Sequence, residues 1–283
     1  MWGTPLCTPD GEIATVPDRP ASSLIEIASV PNLRDVGGHR AADGRLVRRQ
    51  LLFRSTELSK LQGADLDRFA ALGIRSVYDL RTEAERVAQP DRLPPGTDLV
   101  ALDVLRARTG AAPVLLLQLL SDPRAAAEVF GGGKAVTLFE QAYRGIVSLP
   151  SALDGYRRLF SDIADPGKRP ALVHCTTGKD RTGWAAAALL LLLGVADDDV
   201  MDDFLLSGCY LLAAYQPVLD RFRALGGDPE MLTPVIGVRP QYLEAALDEV
   251  RTRYGTIEGY FGVGLGLDAT VVEALRTAFL ETA

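Results

Sequence analysis

Cysteine and histidine are scarce in this sequence of 283 residues. There are three cysteines, Cys7, Cys175 and Cys209, and two histidines, His39 and His174. A small and odd number of cysteines argues against a framework of disulfides. It is typical of a protein in a reducing compartment that uses one thiol chemically. A hydrolase that pairs a cysteine with a histidine base is also disfavoured, because one of the two histidines adjoins Cys175 in the chain.

Positive charge and long apolar runs are lacking as well. The formal net charge is −7, which argues against a general nucleic-acid binder or a protein that binds acidic membranes. The longest apolar run, 184–193, is about 10 residues too short to span a bilayer, so we expect no integral membrane segment. The first twenty residues lack a basic stretch followed by an apolar one, so we expect no signal peptide and a cytoplasmic protein. Secretion that needs no leader peptide cannot be recognised in the sequence, and it stays an alternative.

Apolar residues make up 47 % of the chain, enough for one substantial core and for a single domain over 1–283. Alternating apolar runs and helical periodicities predict a mostly parallel central sheet flanked by helices, with a helical C-terminal part over 197–283. The predicted strands are 24–27, 51–54, 74–80, 99–102 and 170–173. The predicted helices are 65–72, 184–193, 199–206, 211–224, 241–254 and 269–280, with a break at 226–229.

One ten-residue segment has the composition of an anion-binding loop. Residues 174–183 read His-Cys-Thr-Thr-Gly-Lys-Asp-Arg-Thr-Gly, between a short apolar strand and an apolar helix. A strand, a tight loop and a helix direct backbone N–H groups and the positive end of a helix dipole into one concavity. The residues that we expect to form this phosphate-binding loop are His174, Thr176, Thr177, Gly178, Lys179, Thr182 and Gly183.

Cys175 and Arg181 give the loop its predicted chemistry. Inward amides and the guanidinium favour a Cys175 thiolate, and the Arg181 fork can hold two oxygens of one phosphoryl group. Thr182 can donate its hydroxyl to the sulfur, and His174 orients the loop. Together they predict nucleophilic displacement at phosphorus through a covalent intermediate. A nucleotide-binding loop is excluded, because Asp180 stands where that motif needs Ser or Thr. A rhodanese-like thiol transferase and a non-catalytic phosphate-binding module stay as alternatives.

Several segments resemble a known family. These are 32–38 (Asn-Leu-Arg-Asp-Val-Gly-Gly), 52–55, 72–81, the 174–183 loop and 254–255, so the likeness spans most of the chain. The sequence resembles the cysteine-dependent phosphatases with a Cys-x5-Arg loop, and more narrowly the bacterial tyrosine and phosphoinositide phosphatases of the mycobacterial PtpB type. The resemblance implies a cysteine-phosphatase fold and hydrolysis of a phosphoprotein, a phosphoinositide or a phosphorylated metabolite without metal or cofactor. Thr176-Thr177 departs from the apolar residues that often stand there.

The proton donor is less well determined by the sequence. Many such phosphatases place an aspartate on a Trp-Pro-Asp loop, and this chain contains no such tripeptide. Asp180 is the first candidate for general acid, with Asp79 and Asp103, each near a predicted strand end, in reserve. Arg81 fits either a substrate anion or a structural salt bridge. Lys179 fits either a contact with a second phosphate at the rim of the pocket or a solvated lysine that stabilises the loop.

The segment 104–150 is predicted to be an insertion that forms a helical lid. It contains the strongly apolar run 114–120, which fits either a core helix or a lid, and three consecutive glycines at 131–133 that suit a hinge. Relatives of the PtpB type carry a mobile helical lid in the comparable place, which favours the second interpretation.

Overall fold

A computed structural model describes residues 24–107, 119 and 121–281 of the chain. The apolar run 114–120 of the predicted lid therefore lies outside the described residues, apart from Leu119, which is helical and buried. The prediction of a lid over 104–150 stays a prediction.

A five-stranded, mostly parallel sheet forms the centre of the molecule, as predicted. Its spatial order is β1-β3-β6-β4-β5, in which β1 and β3 are antiparallel and the other neighbours are parallel. A second small sheet pairs β2 with β7. The strands are β1 Arg34–Asp35, β2 Leu46–Val47, β3 Leu52–Ser55, β4 Ser76–Asp79, β5 Asp98–Ala101, β6 Ala171–His174 and β7 Leu280–Glu281.

The strand predicted at 24–27 is wrong. Leu24 makes only an isolated antiparallel bridge to Arg34, and the next residues are irregular. Ile27 and Val30 are instead buried in a small apolar cluster with Leu33. The segment is therefore apolar because its side chains pack beside the sheet, and not because it is a strand that is hydrogen-bonded to the sheet.

Helices cover the sheet and make up the C-terminal part. The helices are α1 Gly63–Ala70, α2 Glu83–Ala88, α3 Pro123–Phe130, α4 Lys134–Ser148, α5 Pro150–Ala164, α6 Arg181–Leu192, α7 Asp197–Ala224, α8 Thr233–Ile236, α9 Pro240–Tyr254, α10 Ile257–Gly259 and α11 Ala269–Phe279. The predicted helices at 65–72, 184–193, 241–254 and 269–280 correspond to α1, α6, α9 and α11. None of the described helices combines the length and the apolar character needed to cross a bilayer.

The two helices predicted at 199–206 and 211–224 are one continuous helix, α7. Within this helix, Gly208 lies against Val238, which a Cβ atom at Gly208 would approach to 3.2 Å. The missing side chain thus allows close packing within the helix, and burial compensates for the low helix propensity of glycine. The predicted break after α7 is confirmed, since Gly226 has φ +86° and a 3-10 turn follows at Pro229–Met231.

Successive side chains of β6 point to opposite faces of the sheet, and each face carries its own part of the apolar core. Ala171 and Val173 belong to the larger apolar cluster, and Leu172 belongs to the smaller cluster on the opposite face of the sheet. The larger cluster contains Trp184 of α6, which is fully buried. Burying one such large side chain contributes about 1.5–3 kcal/mol, so the strand before the 174–183 loop and the helix after it are both firmly held.

Helix α4, in the second half of the predicted lid segment, packs into this core. Phe139 stacks on Tyr242 of α9 with a centroid distance of 5.2 Å, and Tyr143 is fully buried. Gly132 and Gly133 adopt φ of +63° and +82° in the turn between α3 and α4, a conformation that glycine reaches at little cost.

The cysteines differ in state. Cys175 is a buried free thiol, whereas Cys209 on α7 is disulfide-bonded. A single bridge at Cys209 is compatible with the prediction that the cysteines form no framework of disulfides.

Candidate active site

The 174–183 loop joins the central strand of the sheet to a buried helix. His174 ends β6, Cys175 follows with 1 % of its surface exposed, and Arg181 begins α6. Because β6 lies between β3 and β4, the loop stands at the carboxyl edge of the parallel strands, where ligands bind in open α/β sheets.

Gly178 allows the loop to approach β3 closely. Its φ is +66°, and a Cβ atom there would lie 2.2 Å from the carbonyl oxygen of Ser55. The Gly178 carbonyl accepts hydrogen bonds from Arg54 Nη2 (2.9 Å) and Asn32 Nδ2 (3.2 Å). In the part of the chain that the structure describes, no backbone N–H of residues 176–180 donates to a protein acceptor. The loop therefore directs a carbonyl toward the framework and leaves its N–H groups for an anion.

A buried ionic network supports the loop from behind. Asp203 on α7 accepts from Arg54 Nη1 at 2.8 Å and from Arg34 Nε at 3.2 Å, and Ser207 Oγ accepts from both guanidinium groups. Burial raises the pKa of Asp203, but the charges of Arg34 and Arg54 outweigh it and hold that pKa below the ordinary value. The C-terminal helices were not predicted to take part in the site, but α7 binds two arginines, and one of them, Arg54, contacts the loop.

The surroundings of Cys175 favour its thiolate form. Burial raises the pKa of a thiol, and Asp180 does so as well. The charge of Arg181, together with the Thr182 hydroxyl and N–H, outweighs both, and the pKa of Cys175 lies below its ordinary value. The buried Thr182 hydroxyl has no nitrogen or oxygen partner among the described residues, which leaves it free to donate to the sulfur.

Glu85 fixes the orientation of Arg181. Arg181 Nη1 donates to Glu85 Oε2 at 2.8 Å and Nη2 donates to Oε1 at 2.7 Å, a bidentate pair. Burial raises the pKa of Glu85, but Arg181 and then Thr176 overcome this and lower it to about 2. Glu85 also closes a capping box with Thr82 at the start of α2. The sequence analysis missed Glu85, although the Thr-x-x-Glu spacing at 82–85 is a signal for such a helix start.

Four ionisable side chains lie together beneath the loop. Arg81 donates to Asp79 Oδ1 and Oδ2 at 2.9 and 2.8 Å and to Asp91 Oδ2 at 2.8 Å, and it is 1 % exposed. His174 Nε2 lies 3.2 Å from Asp91 Oδ2 and 4.0 Å from Asp79 Oδ1. Burial lowers the pKa of His174, but the two aspartates outweigh burial and raise it.

Both reserve candidates for the general acid, Asp79 and Asp103, have other hydrogen-bond partners in the structure. Asp79 is fully buried and paired with Arg81, and the geometry of Arg81 is that of a structural salt bridge. Asp79, Asp91 and His174 could together surround a metal ion, but the Arg81 cation already forms an ion pair with each of the two carboxylates. Asp103 follows the edge strand β5 and accepts from the Leu105 N–H at 3.0 Å in a turn.

Asp180 and Lys179 lie at the end of the loop and contact α4. Asp180 Oδ1 accepts from Tyr143 Oη at 2.8 Å and from Lys179 Nζ at 2.8 Å. Lys179 is only 2 % exposed, with Nζ 4.4 Å from the centre of the Phe139 ring. The structure thus brings together Cys175, Asp180 and Arg181 and adds Tyr143, which no local sequence pattern indicated.

Known proteins are similar in sequence to this chain over almost all of the residues that the structure describes. The family model described as the tyrosine phosphatase family matches residues 25–281. A protein of Cupriavidus necator is 32 % identical over 273 residues, which cover 94 % of this chain and 94 % of that protein. Its name describes it as a tyrosine-protein phosphatase.

Two further relatives are more distant. The triple specificity protein phosphatase PtpB of Mycobacterium tuberculosis is 28 % identical over 278 residues, covering 90 % of this chain and 98 % of that protein. A tyrosine-protein phosphatase of Nostoc commune is 27 % identical over 237 residues, covering 79 % of this chain and 72 % of that protein.

Proposed function

The chain belongs to the tyrosine phosphatase family, whose members are phosphoric monoester hydrolases, and we propose that it works through a phosphocysteine formed on Cys175. The observation that carries this proposal is the environment of that sulfur. It is buried at the carboxyl end of the central strand, its pKa is lowered chiefly by Arg181 against the effect of burial, and unpaired loop N–H groups follow it in the chain.

In the first step, the Cys175 thiolate attacks the phosphorus atom of a monoester. The sulfur–phosphorus bond forms as the bond from phosphorus to the ester oxygen breaks. Arg181, oriented by Glu85, holds two non-bridging oxygens, and the loop N–H groups bind the charge that develops on them. Asp180 gives its proton to the departing alkoxide or phenoxide.

In the second step, water attacks the phosphocysteine. Asp180, now a carboxylate, takes a proton from the water as the oxygen–phosphorus bond forms and the sulfur–phosphorus bond breaks. The Thr182 hydroxyl and the Arg181 charge stabilise the thiolate that leaves. Inorganic phosphate is released, and the enzyme returns to its starting protonation state.

The depth of the sulfur bears on the substrate. Because Cys175 is 1 % exposed, the ester must reach into a narrow site, and phosphotyrosine holds its phosphorus farther from the peptide backbone than phosphoserine does. We infer that phosphotyrosine in proteins is the preferred substrate, with phosphoserine and phosphoinositides as weaker ones. The names of the relatives support a protein phosphatase, and the name of the mycobacterial protein supports breadth of specificity.

Trapping the covalent intermediate tests the mechanism. We expect rapid quenching during turnover of an aryl phosphate, followed by mass spectrometry, to show one phosphoryl group on the peptide that contains Cys175. Cys175→Ser should give no adduct and no turnover while still binding phosphate, and Arg181→Ala should lose both turnover and phosphate binding. Appreciable turnover by Cys175→Ser would contradict the mechanism. Phosphate binding without turnover by the wild-type protein would instead identify a binding module.

The substrate panel separates the remaining alternatives. Phosphotyrosine peptides, phosphoserine peptides, phosphoinositides and phosphorylated metabolites are compared by kcat/KM, and thiosulfate is included as a sulfur donor. We expect phosphotyrosine peptides to give the highest value. A higher value for a metabolite would replace the protein substrate, and sulfur transfer from thiosulfate without phosphatase activity would identify a rhodanese-like enzyme.

A further inference from the structure

We propose that Tyr143 and Lys179 are positioning residues that jointly hold Asp180, and that Lys179 is therefore not the ligand of a second phosphate group. The proposal rests on the proposed function, since it assumes that Asp180 is the proton donor. It assigns a role to a tyrosine on α4 that lies far from the 174–183 loop in sequence.

Both donors act on the same carboxylate oxygen. Tyr143 Oη and Lys179 Nζ each lie 2.8 Å from Asp180 Oδ1, and within the described ranges no other side chain is hydrogen-bonded to Asp180. The Asp180 side chain is 26 % exposed, so it reaches the open part of the site. With Oδ1 occupied by two donors, Oδ2 is the oxygen that carries the proton to the leaving group.

Tyr143 is a fixed donor. Its ring packs edge-on against Phe204 at 5.8 Å and lies tilted against the Tyr242 ring at 5.6 Å, and the side chain is fully buried. Burial, with the charge of Asp180, raises the pKa of the Tyr143 phenol well above its ordinary value, so the phenol keeps its proton. A rigid phenol limits the rotation of the Asp180 carboxyl group and reduces the number of unproductive conformations.

The Lys179 ammonium group already has two partners within the protein. Its ammonium lies over the Phe139 ring and against Asp180, and the residue is 2 % exposed. A ligand for a second phosphate at the rim of a pocket has to extend into solvent, and here that would break both contacts. The buried position fits a cation that orients a neighbouring carboxylate.

Leaving-group dependence gives the test of the phenol. Poor leaving groups such as alkoxides need the proton, whereas nitrophenolate leaves without it. Tyr143→Phe removes one hydroxyl and preserves the ring. We expect it to lower kcat about 10-fold on alkyl phosphates, which is the size expected for the loss of one hydrogen bond, and less than about 2-fold on nitrophenyl phosphate. Tyr260→Phe, which deletes another buried hydroxyl, bonded to Trp184, is the control and should change neither rate.

A double variant tests the positioning role of Tyr143 separately from the assignment of Asp180 as general acid. Asp180→Asn should show a larger loss on alkyl phosphates than on nitrophenyl phosphate, and if it does not, the acid assignment itself is wrong. If Asp180→Asn behaves as expected, adding Tyr143→Phe to Asp180→Asn should cost nothing further on alkyl phosphates. A full additional 10-fold loss, or equal losses on both substrate classes for Tyr143→Phe alone, would overturn the positioning role.

Lys179→Met tests the second half of the proposal, since methionine preserves packing on Phe139 and removes the charge. We expect an equal fractional loss of kcat on a phosphoserine peptide, which has one phosphate, and on an inositol lipid with several phosphates. Unfolding temperature is measured for each variant, so that a misfolded protein is recognised. A loss confined to the inositol lipid, mainly in KM, would overturn the proposal and make Lys179 a phosphate ligand.

Discussion

At the scale of single residues, the reactivity of the site depends on opposing effects on one sulfur. Burial alone would keep Cys175 protonated, and only the sum of Arg181 and Thr182 reverses the sign. Lysine in place of Arg181 would retain charge but lose the bidentate fork. The guanidinium is itself constrained by Glu85, so the orientation of the anion site is determined two contacts away from the sulfur.

The contribution of Thr182 to the thiolate can be measured directly. Thr182→Ala removes a donor that lowers the pKa of Cys175, so the pKa of the thiol should rise. Alkylation by iodoacetamide proceeds through the thiolate, and we expect its pH midpoint to move to higher pH than in the wild-type protein. Thr177→Ala removes a threonine of the same loop that is not among the main groups affecting the pKa of Cys175, and it is the control with an unchanged midpoint. A midpoint that stays in place in Thr182→Ala would assign the lowered pKa to Arg181 alone.

At the scale of elements, α7 contributes more than cover for the sheet. Its Asp203 is the counter-ion of two arginines that are fully buried, Arg34 and Arg54. We expect Asp203→Asn to lower the free energy of unfolding by about 3–5 kcal/mol, because it leaves two buried cations without a carboxylate. Asp198→Asn, an exposed aspartate in the first turn of the same helix, should cost less than about 0.5 kcal/mol. Urea unfolding of both variants measures the difference, and equal small losses would show that the network contributes little.

Elements also show what the sequence could and could not predict. The 174–183 loop was predictable because its chemistry lies in ten consecutive residues between a strand and a helix. Glu85 and Tyr143 were not, since each comes from a separate helix and reaches the loop only through the fold. The single helix α7 was predicted as two helices, and the low helix propensity of Gly208 between them is offset in the structure by tertiary packing against Val238.

At the scale of the whole molecule, buried ionised groups couple folding to pH in two directions. Glu85 and Asp91 each have a pKa lowered to about 2 despite burial, by Arg181 in one case and chiefly by His174 in the other. A lowered pKa adds stability that is present above the unfolded value, about 4, and is lost as the pH falls toward the folded value. The pKa of His174 is raised by Asp91 and Asp79 against burial. Its contribution is present below about pH 6.5 and is lost as the pH rises through the folded value.

These opposite slopes predict a stability maximum in mildly acidic solution. We expect the free energy of unfolding in urea to fall steeply between about pH 4 and pH 2 and to decline gently as the pH rises above about 6.5. Glu85→Gln should flatten the acid limb, because a group that cannot titrate contributes no slope, and should leave the alkaline limb unchanged. His174→Gln should flatten the alkaline limb. If the acid limb of Glu85→Gln is as steep as that of the wild-type protein, the responsible protons bind to other carboxylates. Asp91 and Asp203, whose pKa values are also lowered, are then the next to substitute.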